Sequence, residues 1–144
     1  MKDNRRQYYN SQLRALEWEV KLYHDTVAEL REAKDEIILA RAQYDEGMPR
    51  GSAVGDQTAH RAMALSSPAI REMERRVTAI DRAMSEWTAK ETLARAEFIR
   101  LKFWDVKYTD EGIAQKLNIG TDRTVRRWRR NFLQTVGQYL GWRT

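Results

Sequence analysis

Arginine stands at positions 123, 126, 127, 129 and 130, and Val125, Trp128, Phe132 and Val136 recur among and beyond them. On a helix from Asp122 to about Gln138, that spacing gathers the apolar residues on one side. The opposite side carries Arg123, Arg127, Arg130 and Gln134, flanked by Arg126 and Asn131. The chemistry open to such a face is recognition of a polyanion. A guanidinium presents a planar fork of donors that fits phosphate oxygens and the O6 and N7 edge of guanine, and Asn or Gln can pair with adenine. The N-terminal residues of a recognition helix are the ones that reach base edges in the major groove. Arg123 and Arg127 are therefore assigned to base readout, with Arg126 as a flanking candidate. Thr121, Thr124, Arg130, Asn131 and Lys116 are assigned to positioning the backbone of double-stranded DNA. Arg129 falls near the apolar side, where its stem packs and its head reaches a phosphate only sideways.

Such a helix needs a support. Thr109-Asp110-Glu111 reads as a helix start, a hydroxyl cap followed by two acids that the helix dipole favours. The helix from Glu111 to Leu117 presents Ile113, Ala114 and Leu117 on one face, with Ala114 small enough for two helices to cross closely. Asn118-Ile119-Gly120 makes the turn, Asn118 being able to adopt a left-handed conformation and Ile119 plugging the core. Thr121 caps the arginine helix. The combination predicts a helix-turn-helix. A basic amphipathic helix can also bind a protein or lie on a membrane surface. Here the apolar side is already needed to close a three-helix core, which speaks against a membrane.

The charge balance is uneven. The net charge is +5, yet residues 1–90 hold fifteen Lys/Arg and fifteen Asp/Glu, whereas residues 91–144 hold eleven against six. Clustered cations gain affinity for polyanions by releasing condensed counterions. A solvated basic face is the plainer explanation of a charge run taken alone.

Upstream, Leu13, Val20 and Val27 mark one heptad position and Leu16, Tyr23, Leu30 and Ile37 another. The first series breaks at Lys34, which either snorkels or yields the contact to Ala33 and Ile38. Glu17, Glu19, Lys21, Glu29, Arg31 and Glu32 are expected to face outward. This helix ends near Asp45-Glu46-Gly47. Residues 47–67, rich in Gly and small polar residues, are expected to form a long connection with a helical turn around 57–65. Ser67-Pro68 starts a second helix, with Ile70, Val77 and Met84 at one position and Met73, Ile80, Trp87 and Ala94 at the other. The expected fold is all-α: a long antiparallel, coiled-coil-like hairpin over 1–90, followed by a helix-turn-helix domain over 91–144. The boundary falls between Trp87 and Thr92, with no Gly or Pro to interrupt a helix running through it as a rod. Pairing between subunits through the hairpin is the alternative use of the same heptads.

Other chemistry is not indicated. His24 and His60 are isolated, no cysteine exists, and no phosphate loop, nucleophile elbow or carboxylate pair is recognisable. No catalytic residue, metal or cofactor is assigned. The five tryptophans read as core or interface anchors, Trp142 alternatively as a surface for stacking on a partner. No run is long and apolar enough for a membrane span, and a cytoplasmic location is expected.

The segments Phe98-Ile99-Arg100-Leu101-Lys102-Phe103-Trp104, Tyr108 to Ala114, Arg126-Arg127-Trp128-Arg129 and Tyr139-Leu140-Gly141-Trp142-Arg143 together resemble the phage RinA/ArpU family over about residues 93–143. A shorter, looser likeness covers Gly47 to Gly51 and Asp56 to Ala59. Between Ile119 and Val125 this chain has one residue more than the family's usual turn, which bears on which arginines lead the helix. The resemblance implies a domain similar to region 4 of bacterial sigma factors, and a transcriptional activator of late or packaging genes in the cytoplasm of a bacterial host. DNA and host RNA polymerase are the partners it brings into view, beside the second copy that the heptads of the helical arm allow. The alternatives are a DNA-packaging component such as a small terminase subunit, and a sigma-like adaptor that binds polymerase and not DNA. Small terminase subunits usually place the DNA-binding domain first, the reverse of the order here.

Overall fold

In a computed structural model, the structure describes residues 2–47, 60, 63–65 and 67–142, and all regular structure among them is helical. The elements are α1 (Lys2–Lys21), α2 (Tyr23–Gly47), α3 (Pro68–Thr88), α4 (Thr92–Ile99), a π-helical turn (Arg100–Trp104), α5 (Asp110–Leu117) and α6 (Asp122–Tyr139). The expected all-α class is what is seen, hairpin first and helix-turn-helix last. The hairpin is antiparallel: the Tyr23 hydroxyl donates to Asp81, and Lys34 pairs with Glu74, so partners descend along α3 as α2 ascends. The chain divides into two compact units, residues 24–77 and residues 1–23 with 78–144.

In the 24–77 unit, Val27, Leu30 and Ile37 of α2 and Ile70, Met73 and Val77 of α3 are buried or half-buried, as the heptads require. Lys34, which breaks the rhythm, puts its ammonium 2.6 Å from the Glu74 carboxylate. Ile38 does not take over the contact; it is largely exposed. Ser67 caps α3, its Oγ accepting from the Ile70 N–H at 3.4 Å. Most of the 47–67 connection, Met48-Pro49-Arg50 included, lies outside the described residues; His60 and residues 63–65 are helical.

The other unit differs from the division expected at residue 90. Its core joins Leu13, Leu16 and Val20 of α1 and Ala79, Ile80, Ala83 and Trp87 of α3 to Phe98, Leu101, Phe103, Ile113, Val125, Trp128, Phe132 and Val136. Trp87, Phe98, Phe103, Trp128 and Phe132 interlock, with ring centroids 5.5–6.1 Å apart and mostly edge-on or tilted. Such geometry adds about 0.5–1.5 kcal/mol per pair beyond burial. A segment starting at residue 91 would leave this aromatic cluster without Trp87 and open to water on the side that α1 covers.

Two helix breaks shape this unit. The rod expected through residues 87–92 is not present: α3 stops at Thr88 and α4 starts at Thr92. Arg95 holds the break. Its Nη1 donates to the Trp87 carbonyl at 3.0 Å, and its guanidinium lies 4.1 Å from the Trp87 ring centroid and 5.5 Å from that of Trp128. The first helix, expected to run unbroken through the heptads, is interrupted at Leu22. There the π turn, closed by Asp105 N–H to Arg100 C=O, delivers Trp104. The Trp104 indole donates to the Val20 carbonyl at 3.0 Å and stacks on Tyr23 at 5.8 Å. Side-chain contacts therefore mark both breaks, where no glycine or proline stands: a remote one from Trp104 at Leu22 and a local one from Arg95 after Thr88.

Candidate nucleic-acid interface

The helix that supports the arginine face begins as its sequence requires. Thr109 is extended, and its Oγ1 accepts from the Gly112 N–H at 3.1 Å; a cap of this kind contributes about 1 kcal/mol. Asp110 in the first turn also receives Lys102 at 2.6 Å, which ties α5 to the π turn. At the other end Asn118 takes the left-handed conformation at φ 54°, and Gly120 sits at φ 109°. The turn thus comprises residues 118–121, within the usual length for this motif. Ala114 is buried and Ile119 half-buried against the core. Thr121 departs from expectation. Its backbone is extended as in a cap and its carbonyl accepts from Thr124 N–H, but its side chain makes no capping bond.

α6 then turns Val125, Trp128, Phe132, Leu133 and Val136 into the core. Arg123, Arg127 and Arg130 are exposed and make no ion pair or hydrogen bond among the described residues. Arg126, also exposed, is drawn back along the helix to Asp122 at 3.0 Å. Asn131 is exposed and Thr124 half-buried. Lys116 is held at the rim, donating to the Tyr108 hydroxyl at 2.8 Å and lying 4.6 Å from its ring centroid. The candidates therefore share one surface. Within it, Arg123, Arg127 and Arg130 are uncommitted, and Arg126 and Lys116 are already partnered.

The C-terminal half of the same helix is covered by α1, which the residue pattern did not reveal. Gln134, expected on the open face, is half-buried and donates to the Tyr9 hydroxyl. Arg129 does not reach sideways to solvent; its Nη2 lies 2.7 Å from Glu17 Oε2. Glu17, expected to face outward, has only 18% of its side chain exposed. Burial pushes the Glu17 carboxyl up, but the hydrogen bond and charge of Arg129, with Lys21 and Lys102 adding, outweigh it and hold the group below the usual carboxylate value. Trp18, on the side of α1 opposite its buried stripe, is 62% exposed, so it is no core anchor, whereas Trp87 and Trp128 are.

The surface has the chemistry of an anion-binding face: fixed, exposed guanidinium groups on a helix whose other sides are occupied by α5 and α1. Among the described residues, no group of His, Asp or Glu is arranged to hold a metal, and no helix is long and apolar enough to cross a membrane. No family model, curated protein or solved structure matches this chain.

Proposed function

We propose that this chain is a sequence-specific binder of duplex DNA that regulates transcription, with α6 as the recognition helix in the major groove. One observation carries the proposal. Arg123, Arg127 and Arg130 stand exposed and uncommitted on the N-terminal half of a helix whose opposite face is locked in a core, directly after a four-residue turn. Arginines free to choose partners are poised for guanine edges and phosphates, whereas structural arginines such as Arg95 and Arg129 are bound within the fold. The resemblance to the RinA/ArpU family supports the narrower reading of a phage regulator, an activator of late or packaging genes in a bacterial cytoplasm that also contacts host RNA polymerase. This function involves no catalytic step.

The test is selection of duplexes from a random library, followed by affinity measurements on the recovered site at fixed salt. Arg123→Ala with Arg127→Ala is expected to weaken binding to that site by roughly 10–100-fold and to relax its consensus. Failure to recover any preferred duplex, or a consensus unchanged by the double substitution, would overturn the assignment.

A further inference from the structure

The N-terminal helix carries five Lys/Arg against three Asp/Glu, a local excess hidden when residues 1–90 are summed to neutrality. One of those acids, Glu17, is spent on Arg129. Two contacts fix how α1 lies on α6. Tyr9 meets Gln134 and Glu17 meets Arg129, so α1 runs antiparallel to α6, and its residues 10–16 lie alongside residues between 129 and 134. The buried stripe of α1 is Leu13, Leu16 and Val20, and Glu17 marks its edge toward α6. At 100° per residue, Arg14 falls about 60° beyond Glu17, on the edge that continues the open face of α6 near Arg130. Arg6 and Asn10 precede Arg14 at four-residue steps along one inclined row, and all three are exposed. They line an open polar groove along α1 with Asn4, Gln7 and Ser11, and with Asp3 as the one acid at its N-terminal end. Arg6 and Arg14 make no ion pair among the described residues. Arg5 is also exposed, but lies on the opposite edge of the helix, beyond the buried stripe.

We infer that α1 is a second DNA-contacting element, in which Arg14, with Arg6 and Asn10 along the same row, follows the phosphate backbone of the duplex that α6 reads. The inference rests on the proposed function and adds a role for the N-terminal helix, which is otherwise only a structural buttress. A row of two arginines with an asparagine between them, at four-residue steps beside the recognition helix, carries no base information. It sets the register of α6 along the groove and adds to the salt dependence of binding.

The contrast between Arg14 and Arg5 gives the test, since both substitutions remove one charge from the same helix. Each is replaced by Ala in the full chain, and binding to the selected duplex and to a scrambled duplex of equal length is titrated over a range of salt. Loss of one phosphate contact should make the slope of log K against log salt shallower by about 0.9, and loss of Arg6 and Arg14 together by about 1.8. Between 50 and 200 mM salt the affinity defect of that double variant should therefore shrink by about 12-fold. Arg5→Ala should leave the slope unchanged, and the consensus should be the same for all variants. Circular dichroism checks that the helices persist. An Arg14→Ala slope equal to that of Arg5→Ala, with wild-type binding intact, overturns the role of α1 and leaves the recognition helix standing. Absence of duplex binding by the wild-type chain overturns both.

Discussion

A double-mutant cycle on Glu17 and Arg129 asks whether the N-terminal helix belongs to the same folding unit as the helix-turn-helix. The two residues are 112 positions apart, and their charged atoms are 2.7 Å apart with side-chain exposures of 18% and 23%. An exposed ion pair contributes about 0.2–1 kcal/mol, and stripping one partner from a fully buried pair costs about 3–5 kcal/mol. This pair is part-shielded, and its charge-assisted hydrogen bond lies nearer the lower case once solvent screening is allowed for. Glu17→Gln is expected to cost about 1.5 kcal/mol near neutral pH, with about 1 kcal/mol of that shared with Arg129→Met as coupling. Urea unfolding of the wild type, both single variants and the double variant measures it. The folded-state pKa of Glu17 is depressed, so its contribution is complete above the ordinary carboxylate value and is lost as the pH falls through the folded value. The coupling should therefore vanish on acidification while the difference between Gln variants and wild type narrows. If residues 91–144 fold without α1, as the division expected at residue 90 implies, the substitutions act independently. Coupling within about 0.4 kcal/mol of zero near neutral pH would refute the packing of α1 on α6.

Two further outcomes follow from local geometry. Gly120→Ala places a side chain at φ 109° with its Cβ 3.1 Å from Thr124 Oγ1, so it should destabilise the chain by about 1–3 kcal/mol in urea unfolding, far more than Gly→Ala at an unstrained site. Tyr23 is held protonated by burial and by the hydrogen bond and charge of Asp81, which push its phenol up to about 12. Ultraviolet titration should show a late-ionising tyrosine that disappears in Tyr23→Phe, and the stability tied to that phenol should persist below its unfolded pKa and be lost as the pH rises through 12.

Much of the architecture was legible because it rests on local patterns. Thr109 before two acids, Asn118 before Ile119 and Gly120, and the Val125–Trp128–Phe132 stripe each specify backbone and facing within a few residues, and the structure places them accordingly. What was not legible depends on residues far apart in sequence. Leu13, Leu16 and Val20 have the same spacing whether they face another hairpin helix or the C-terminal core, so the heptads could not assign α1 to one or the other. Neither break carries a glycine or proline. The one at Leu22 is met by Trp104, 84 positions from Val20. The one at residues 89–91 is bridged by Arg95, whose partner Trp87 is only eight positions away but lies across the break. Gln134 looked open for a related reason. Its position on the helix is polar and opposite the core, and only the arrival of Tyr9 covers it.

That covering changes how the arginine face should be weighed. Along α6 the side opposite the core begins with Arg123, Arg127 and Arg130 and continues to Gln134, so residue types alone describe a face nearly as long as the helix. The structure closes the later part with α1 and leaves the first two turns and their neighbours open. Major-groove recognition uses the beginning of such a helix, so the closed half is the part that can be surrendered to packing. The same arrangement separates two kinds of arginine only two residues apart. Arg129 stabilises the fold through Glu17, and Arg127 has no protein partner among the described residues. Substituting Arg129 should therefore reduce duplex affinity in proportion to lost folding, and substituting Arg127 should do so with stability unchanged. An Arg127→Ala variant that unfolded as Arg129→Met does would show that the open face is structural after all.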